Sequence, residues 1–337
     1  MKFIIYIISF ICILFITNFC YVYFGVFDED IAKCDAKLVY TMDSSLNKSN
    51  ILYFGESSNF TFSERDSCKK SIAELVSELN PNYKIKAITK GAIHAETYKI
   101  LIHRIKNNDK IKVIILTVNL RSFGINWIQS NLETNLSRAN ILYTNYPPII
   151  KKMMLSFKVY DNQEVFKRNQ KIKSHNMNDK FSLVSQKFET VRDWDKEVYH
   201  IGIIDGNGIK DQQKTDLACH FIKNYAFTLN EYNPRIKDLD DIVNYCRLKN
   251  IKLIFNLLPE NYEKAKEFFG KDLETLMISN VDFLQNRYNK STIFINNFNL
   301  LADSCFIDRN WPTEHYIYFG RKVVAERINK KLKSIYE

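Results

Sequence analysis

The chain lacks the cysteine arithmetic of a metal or redox protein. Its seven cysteines include no CxxC pair and no metal-ligand spacing. His94, His103, His175 and His200 show no such spacing either. Asp205-Gly206-Asn207-Gly208 starts like a calcium loop, but Ile209 occupies the next ligand position, so a tight turn is favoured. There is no zinc-finger spacing, no aromatic–basic RNA-binding signature and no arginine-rich tail, which sets nucleic acid aside as a partner. Internal repeats and low-complexity tracts are also missing.

What is there is a globular composition, with 46% hydrophobic and 14% aromatic residues in 337. That length holds one large domain or two small ones. The formal charge of +10 is spread along the chain. It fits a solvated lysine-rich surface, or attraction to a polyanion such as phospholipid headgroups or an acidic glycopolymer.

Residues 3–24 are almost wholly apolar, broken only by Ser9, Thr17 and Asn18, and match the length of a bilayer-spanning helix. Lys2 precedes the run, and Asp28, Glu29 and Asp30 follow it, so the remaining chain is expected outside the membrane. A cleaved signal peptide has a shorter apolar region ending in small residues, whereas Phe19-Cys20-Tyr21 are mostly bulky; a lipoprotein reading of Cys20 fails for the same reason. An uncleaved single-pass anchor over residues 1–26 is the expectation, followed by a stalk or irregular wrap at 27–49 and a domain at 50–337. The domain is extracytoplasmic on this reading, either periplasmic or at the cell surface. Cys34 and Cys68 can form a bridge near its start, although independent buried thiols suit most of the cysteines better, and five outside the anchor is an odd number.

From residue 51 strands and helices alternate. Ile51-Leu52-Tyr53-Phe54 is a continuous apolar strand ending at Gly55, and a helix with Ile72, Leu75, Val76 and Leu79 on one face stops at Asn80-Pro81. Strands are expected at 83–89, 112–118, 252–258 and 292–295, and helices around Tyr98–Ile105, 236–248, 272–288 and from about Gly320. Such alternation implies an open, parallel α/β sheet of about five strands covered on both faces. The pattern is lost at about 124–233, a long insertion. Within it, residues 151–173 carry seven basic residues against Asp161 and Glu164. A helix there is basic and amphipathic, suited either to a membrane surface or membrane-embedded partner, or to packing on the domain as a lid.

Ligands of open α/β sheets bind beyond the carboxyl ends of the strands. Four residues stand at such places. Ser57 follows the first strand in Gly55-Glu56-Ser57, Gly91 the second, and Asn119 the third; His315 lies past the fifth, before the last helix. Each alone has an ordinary reading: helix cap, turn glycine, strand-closing polar residue, structural histidine. Together they supply a nucleophile, oxyanion donors and a general base, the equipment for acyl transfer. The oxyanion donors would be the N–H groups of Ser57 and Gly91 and the Asn119 amide. Ser58 competes with Ser57, but the strand-Gly-acid-Ser order favours Ser57. Arg121 can hold an anionic substrate group or form a structural ion pair. Cys219-His220 are sequence neighbours, a poor geometry for nucleophile and base, and fit packing within a helix.

These four blocks, in this order, resemble the SGNH (GDSL-type) hydrolase superfamily over about residues 50–337. The anchor, Asn119-Leu120-Arg121-Ser122-Phe123 and Leu257-Leu258-Pro259-Glu260-Asn261 are similar to its membrane-anchored DltD-like and alginate-acetylation-type branch. The resemblance implies a three-layer, flavodoxin-like fold and serine acyl chemistry on a cell-envelope glycopolymer or polysaccharide, as transfer or hydrolysis of acetyl or D-alanyl esters. It also implies work beside a membrane-bound O-acyltransferase, as catalyst or as a non-catalytic accessory module, and requires no metal or organic cofactor. The chain departs from the family in two residues. Glu56 replaces the usual aspartate before the serine. The acid expected three residues before the histidine is Pro312, which leaves Asp308, Glu314, Asp303 or a Ser–His dyad. Asp308 reaches His315 only if residues 309–313 loop out.

Overall fold

The computed structural model describes residues 2–336 apart from 34–35, 107–109, 131 and 161–164. Among the described residues there are seven strands: β1 (Ile51–Gly55), β2 (Ile85–Thr89), β3 (Val113–Val118), β4 (Ile203–Ile204), β5 (Lys210–Asp211), β6 (Lys252–Leu257) and β7 (Ile293–Asn296). The main sheet has the order β2-β1-β3-β6-β7 and every pairing in it is parallel. Numbered within that sheet alone, the order is 2-1-3-4-5, the doubly wound flavodoxin-like arrangement, with its switch point between β1 and β3.

Side chains on a strand alternate faces, and each face of this sheet is dry. Leu52 and Phe54 join Leu116 and Phe255 in one core, while Ile51 and Tyr53 join Ile115 and Ile254 in the other. That is why these strands read as continuous apolar runs. The second core is closed by helices Ile72–Leu79 and Tyr318–Tyr336. Val324, Ile328 and Leu332 recur every fourth residue on the latter, so they share one face, and all three are fully buried. Such a side chain contributes about 1.5–3 kcal/mol by leaving water.

The segment expected to be a stalk or an irregular wrap of the domain is helical over Val26–Lys33 and Ala36–Leu46. Leu38, Val39, Met42 and Leu46 enter the first core, so the second of these helices packs against the sheet side that this core covers. Polar neighbours such as Thr41, Asp43 and Ser44 line the other faces and hide the helical period in a linear reading. Cys34 lies outside the described residues, and Cys68 is a free thiol.

Lys2–Tyr23 is a single helix, long and apolar enough to cross a membrane, and its most apolar stretch is wholly unburied by the domain. Two of its polar residues have local duties. Thr17 Oγ1 bonds back to the Ile13 carbonyl at 2.8 Å, and Asn18 Oδ1 accepts from the Ile149 N–H at 2.9 Å. The insertion contains helices Leu132–Tyr143, Pro148–Ser156, Val165–Asn178, Val191–Ile201 and Gln212–Tyr225, with β4 and β5 as a small hairpin. Asp205 Oδ1 closes that hairpin by accepting from the N–H groups of Asn207 and Ile209, the tight turn expected there. Of the basic stretch, Asp161 and Glu164 lie outside the described residues. Cys219 and His220 sit within the Gln212–Tyr225 helix.

Candidate active site

Parallel register brings the strand-end residues abreast. Gly55 pairs with Thr89 and Phe54 with Leu116, so Ser57, Gly91 and Asn119 all stand just past the carboxyl edge of three adjacent strands. A side chain at Gly55 would meet the buried Tyr53 ring at 2.7 Å, so glycine keeps the close approach of this strand end to that ring. The turn becomes a one-turn 3₁₀ helix, Ser57–Asn59, whose Asn59 Oδ1 accepts from the Ala73 N–H at 2.9 Å. At Gly91 a side chain would meet nothing within 4 Å, so this glycine leaves open space and relieves no crowding.

His315 comes from the other end of the chain. Phe306 and Tyr316 form an antiparallel bridge, and the Ile307 N–H donates to the His315 carbonyl at 2.9 Å. Residues 309–313 therefore loop out between two paired arms, which places Asp308 beside His315 despite the seven-residue separation. Asp308 Oδ2 lies 2.7 Å from His315 Nδ1, and His315 Nε2 lies 2.9 Å from Ser57 Oγ. Thr313 Oγ1 also donates to Asp308 Oδ2. An ionised Asp308 only accepts, so the proton sits on Nδ1 and the lone pair on Nε2 faces the serine hydroxyl. Such an arrangement can act as a nucleophile, its base and an acid that orients the base. Asp303 is engaged elsewhere, with Arg309 and Asn261, each at 2.8 Å.

Glu314, adjacent to His315, points the opposite way. It is fully buried and receives Arg121 Nε at 2.9 Å and Nη2 at 2.6 Å. Burial opposes its ionisation, yet the Arg121 charge and hydrogen bonds outweigh it and hold the carboxyl below its ordinary value. Arg121 is thus in the structural ion pair, with its guanidinium 4.6 Å from the Trp127 ring centroid. Glu314 Oε2 also accepts from Asn119 Nδ2 at 2.8 Å. A carboxylate cannot donate, so Nδ2 must face it, and the second N–H of that amide is left for another acceptor.

Two more carboxyls complete the cluster. Glu260 takes the Tyr225 hydroxyl at 2.5 Å and the Leu120 N–H at 3.2 Å, and burial with the Glu314 charge pushes its pKa well up. Glu56 accepts from the Ser58 N–H at 3.3 Å and is raised by the same two causes. Arg321, also fully buried, clamps the loop after Ser57: it pairs with Asp66 at 2.9 Å and donates to the carbonyls of Cys68, Lys70 and Tyr316. The sequence pattern does not mark Glu260, Tyr225 or Arg321 as site residues; only Glu260, in the Leu-Leu-Pro-Glu-Asn turn, carries a signal. Among the described residues no three His, Cys, Asp or Glu side chains form a group that could hold a metal ion.

No family model matches the sequence, and no curated protein matches it. Among solved structures the chain is similar to a proposed acylhydrolase from Bacteroides fragilis, at 8% identity over 90% of this chain and 98% of that one, with a TM-score of 0.37. It is similar to an acetylxylan esterase from Geobacillus stearothermophilus at 9% identity over 85% and 94%, with a TM-score of 0.38. A proposed platelet activating factor from Streptococcus pneumonia aligns at 11% identity over 93% and 97%, with a TM-score of 0.36.

Proposed function

We propose that this chain is a serine-dependent ester hydrolase or O-acyltransferase, anchored by residues 2–23, whose outer domain acts on acetyl or D-alanyl esters of a cell-envelope polymer. The observation that carries this reading is the continuous relay from Asp308 through His315 to Ser57, at 2.7 and 2.9 Å. Ser57 Oγ attacks the acyl carbonyl carbon as its proton passes to His315 Nε2. The carbonyl oxygen becomes an oxyanion, for which the N–H groups of Ser57 and Gly91 and the free Asn119 N–H are the candidate donors. Collapse of the tetrahedral species expels the polymer hydroxyl, which takes the proton from His315. A water or a second hydroxyl, deprotonated by His315, then releases the acyl group from Ser57.

Hydrolysis and transfer share the acyl-enzyme and differ only in the final acceptor. Comparing free-acid release with acceptor-dependent product separates them, and a membrane-bound O-acyltransferase would be a source of acyl groups for the second. The Asp308 contact favours the catalytic role over a purely accessory one, because it supplies the displaced acid. A fluorophosphonate probe tests the core of the reading. Wild-type protein labels and Ser57→Ala does not, with a drop in esterase turnover of about 10⁶-fold. Equal labelling of the two proteins, or none of a folded wild type, would sink it.

A further inference from the structure

The anchor packs on helices Val26–Lys33 and Pro148–Ser156, from which contacts lead to the edge of the sheet opposite the relay. Its last turns are held by Asn18 on Ile149 and by the Tyr21 hydroxyl on Asp30 at 2.7 Å, with Lys152 on the same carboxylate at 2.6 Å. Next along, the Lys151 ammonium lies 5.2 Å from the Phe27 ring centroid and donates to the Leu142 carbonyl at 3.0 Å. The adjoining Tyr143 carbonyl accepts from Arg104, which forks onto Asp43 at 2.8 and 2.5 Å. One turn beyond Asp43, the Leu46 carbonyl accepts from the Lys110 N–H, just before β3 begins. This continuous series of contacts ends at the amino edge of the sheet. Ser57, Asn119 and His315 stand at the carboxyl edge, six residues of β3 away, or about 20 Å at 3.3 Å per residue.

We propose that the relay opens away from the bilayer, about 20 Å or more above it, so that its ester substrate is a segment of an extended polymer and not a lipid headgroup. The anchor is a fixed mount on this view, because Tyr21 is buried and both ends of the Asp30 bridge are tied. The inference rests on the anchor and ester readings above, and the test separates them.

Full-length protein is placed in nanodiscs of phosphatidylcholine doped with lipid carrying a nitroxide on its headgroup. Trp311 is 54% exposed, lies three residues from Asp308, and reports the height of the relay as the difference between wild type and Trp311→Phe. Phe24→Trp reports the end of the anchor. Phe24→Trp should lose most of its added fluorescence and Trp311 none. Equal quenching of both would overturn the proposal. An unquenched Phe24→Trp would remove the anchor reading and the height with it. In the same discs, acetylated cello-oligosaccharide should turn over faster than acetylated phosphatidylinositol by about tenfold or more, since only the former can reach the site productively. The reverse ranking overturns the substrate class. Turnover of neither retires the ester reading and the substrate class together, while the height is still decided by Trp311.

Discussion

Glu314 and His315 are neighbours in sequence and opposites in circumstance. The extended backbone sends one side chain into the core and the next out over the sheet edge. The inner one meets Arg121, Asn119 and Glu260 in a dry cluster; the outer one meets Asp308 and Ser57 where water reaches. Glu314 has 1% of its side chain exposed against 35% for Asp308. The same residue types therefore do two jobs. A carboxylate beside a partly exposed imidazole is placed to set a proton's position. A carboxylate sealed beside a guanidinium holds strand ends together, because separating them leaves a bare charge in a low dielectric. Changes to the outer set should move rate, and changes to the inner set should move stability.

The largest test of that division is Asp308→Asn. Loss of the orienting carboxylate should lower kcat by about 10⁴-fold with little change in thermal midpoint. A variant that keeps its rate but melts early would invert the comparison. Next is Arg121→Met, which strands Glu314 without its countercharge and should destabilise the fold by about 3–5 kcal/mol in urea titration. Adding Glu314→Gln should recover part of that loss, since the uncompensated charge goes with it. A double variant no better than the single one would mean that packing, not charge, carries the cluster.

This division was only half legible in the sequence. The central strands β1 and β3 show themselves because burial on both faces makes them unbroken apolar runs, as in Val113-Ile114-Ile115-Leu116. Ser57, Gly91, Asn119 and His315 were visible because open α/β sheets place chemistry at strand ends. Whether Asp308 reaches the imidazole depends on the Phe306–Tyr316 bridge, a long-range pairing with no local signature. The direction of Glu314 is set by Arg121, 193 residues earlier, and no periodicity encodes that. The helix Ala36–Leu46 escaped because its buried residues are few and set among polar ones, and tertiary burial outweighed the local polarity.

Asn119 sits on the boundary, with one amide N–H spent on Glu314. If its other N–H serves the oxyanion, Asn119→Ala should lower kcat by about 10²–10³-fold, while KM and the urea midpoint shift little. Asn119→Ala with unchanged kcat and reduced stability would assign the residue wholly to the inner set.

The smallest effect is a slope. Glu260 is buried and raised, Glu314 is buried and lowered, so they respond to pH with opposite signs. An unfolded glutamate loses its proton near pH 4.3, about its reference value. Above that pH the folded Glu260 still holds its proton, the folded state binds more protons than the unfolded one, and stability falls as pH rises. Glu314 behaves inversely: its stabilisation is complete above pH 4.3 and fades as pH drops through its lowered folded value. Glu260→Gln should therefore gain on wild type as pH rises from about 5, by at most about 1.4 kcal/mol per pH unit. Glu56 is raised by the same causes and remains in the variant, so the wild-type slope is flattened and not abolished. Urea unfolding at several pH values reads this directly. Parallel curves for the two proteins would mean that Glu260 ionises in the fold, and the inner cluster would then hold two charges on Arg121 where the hydrogen bonds describe one.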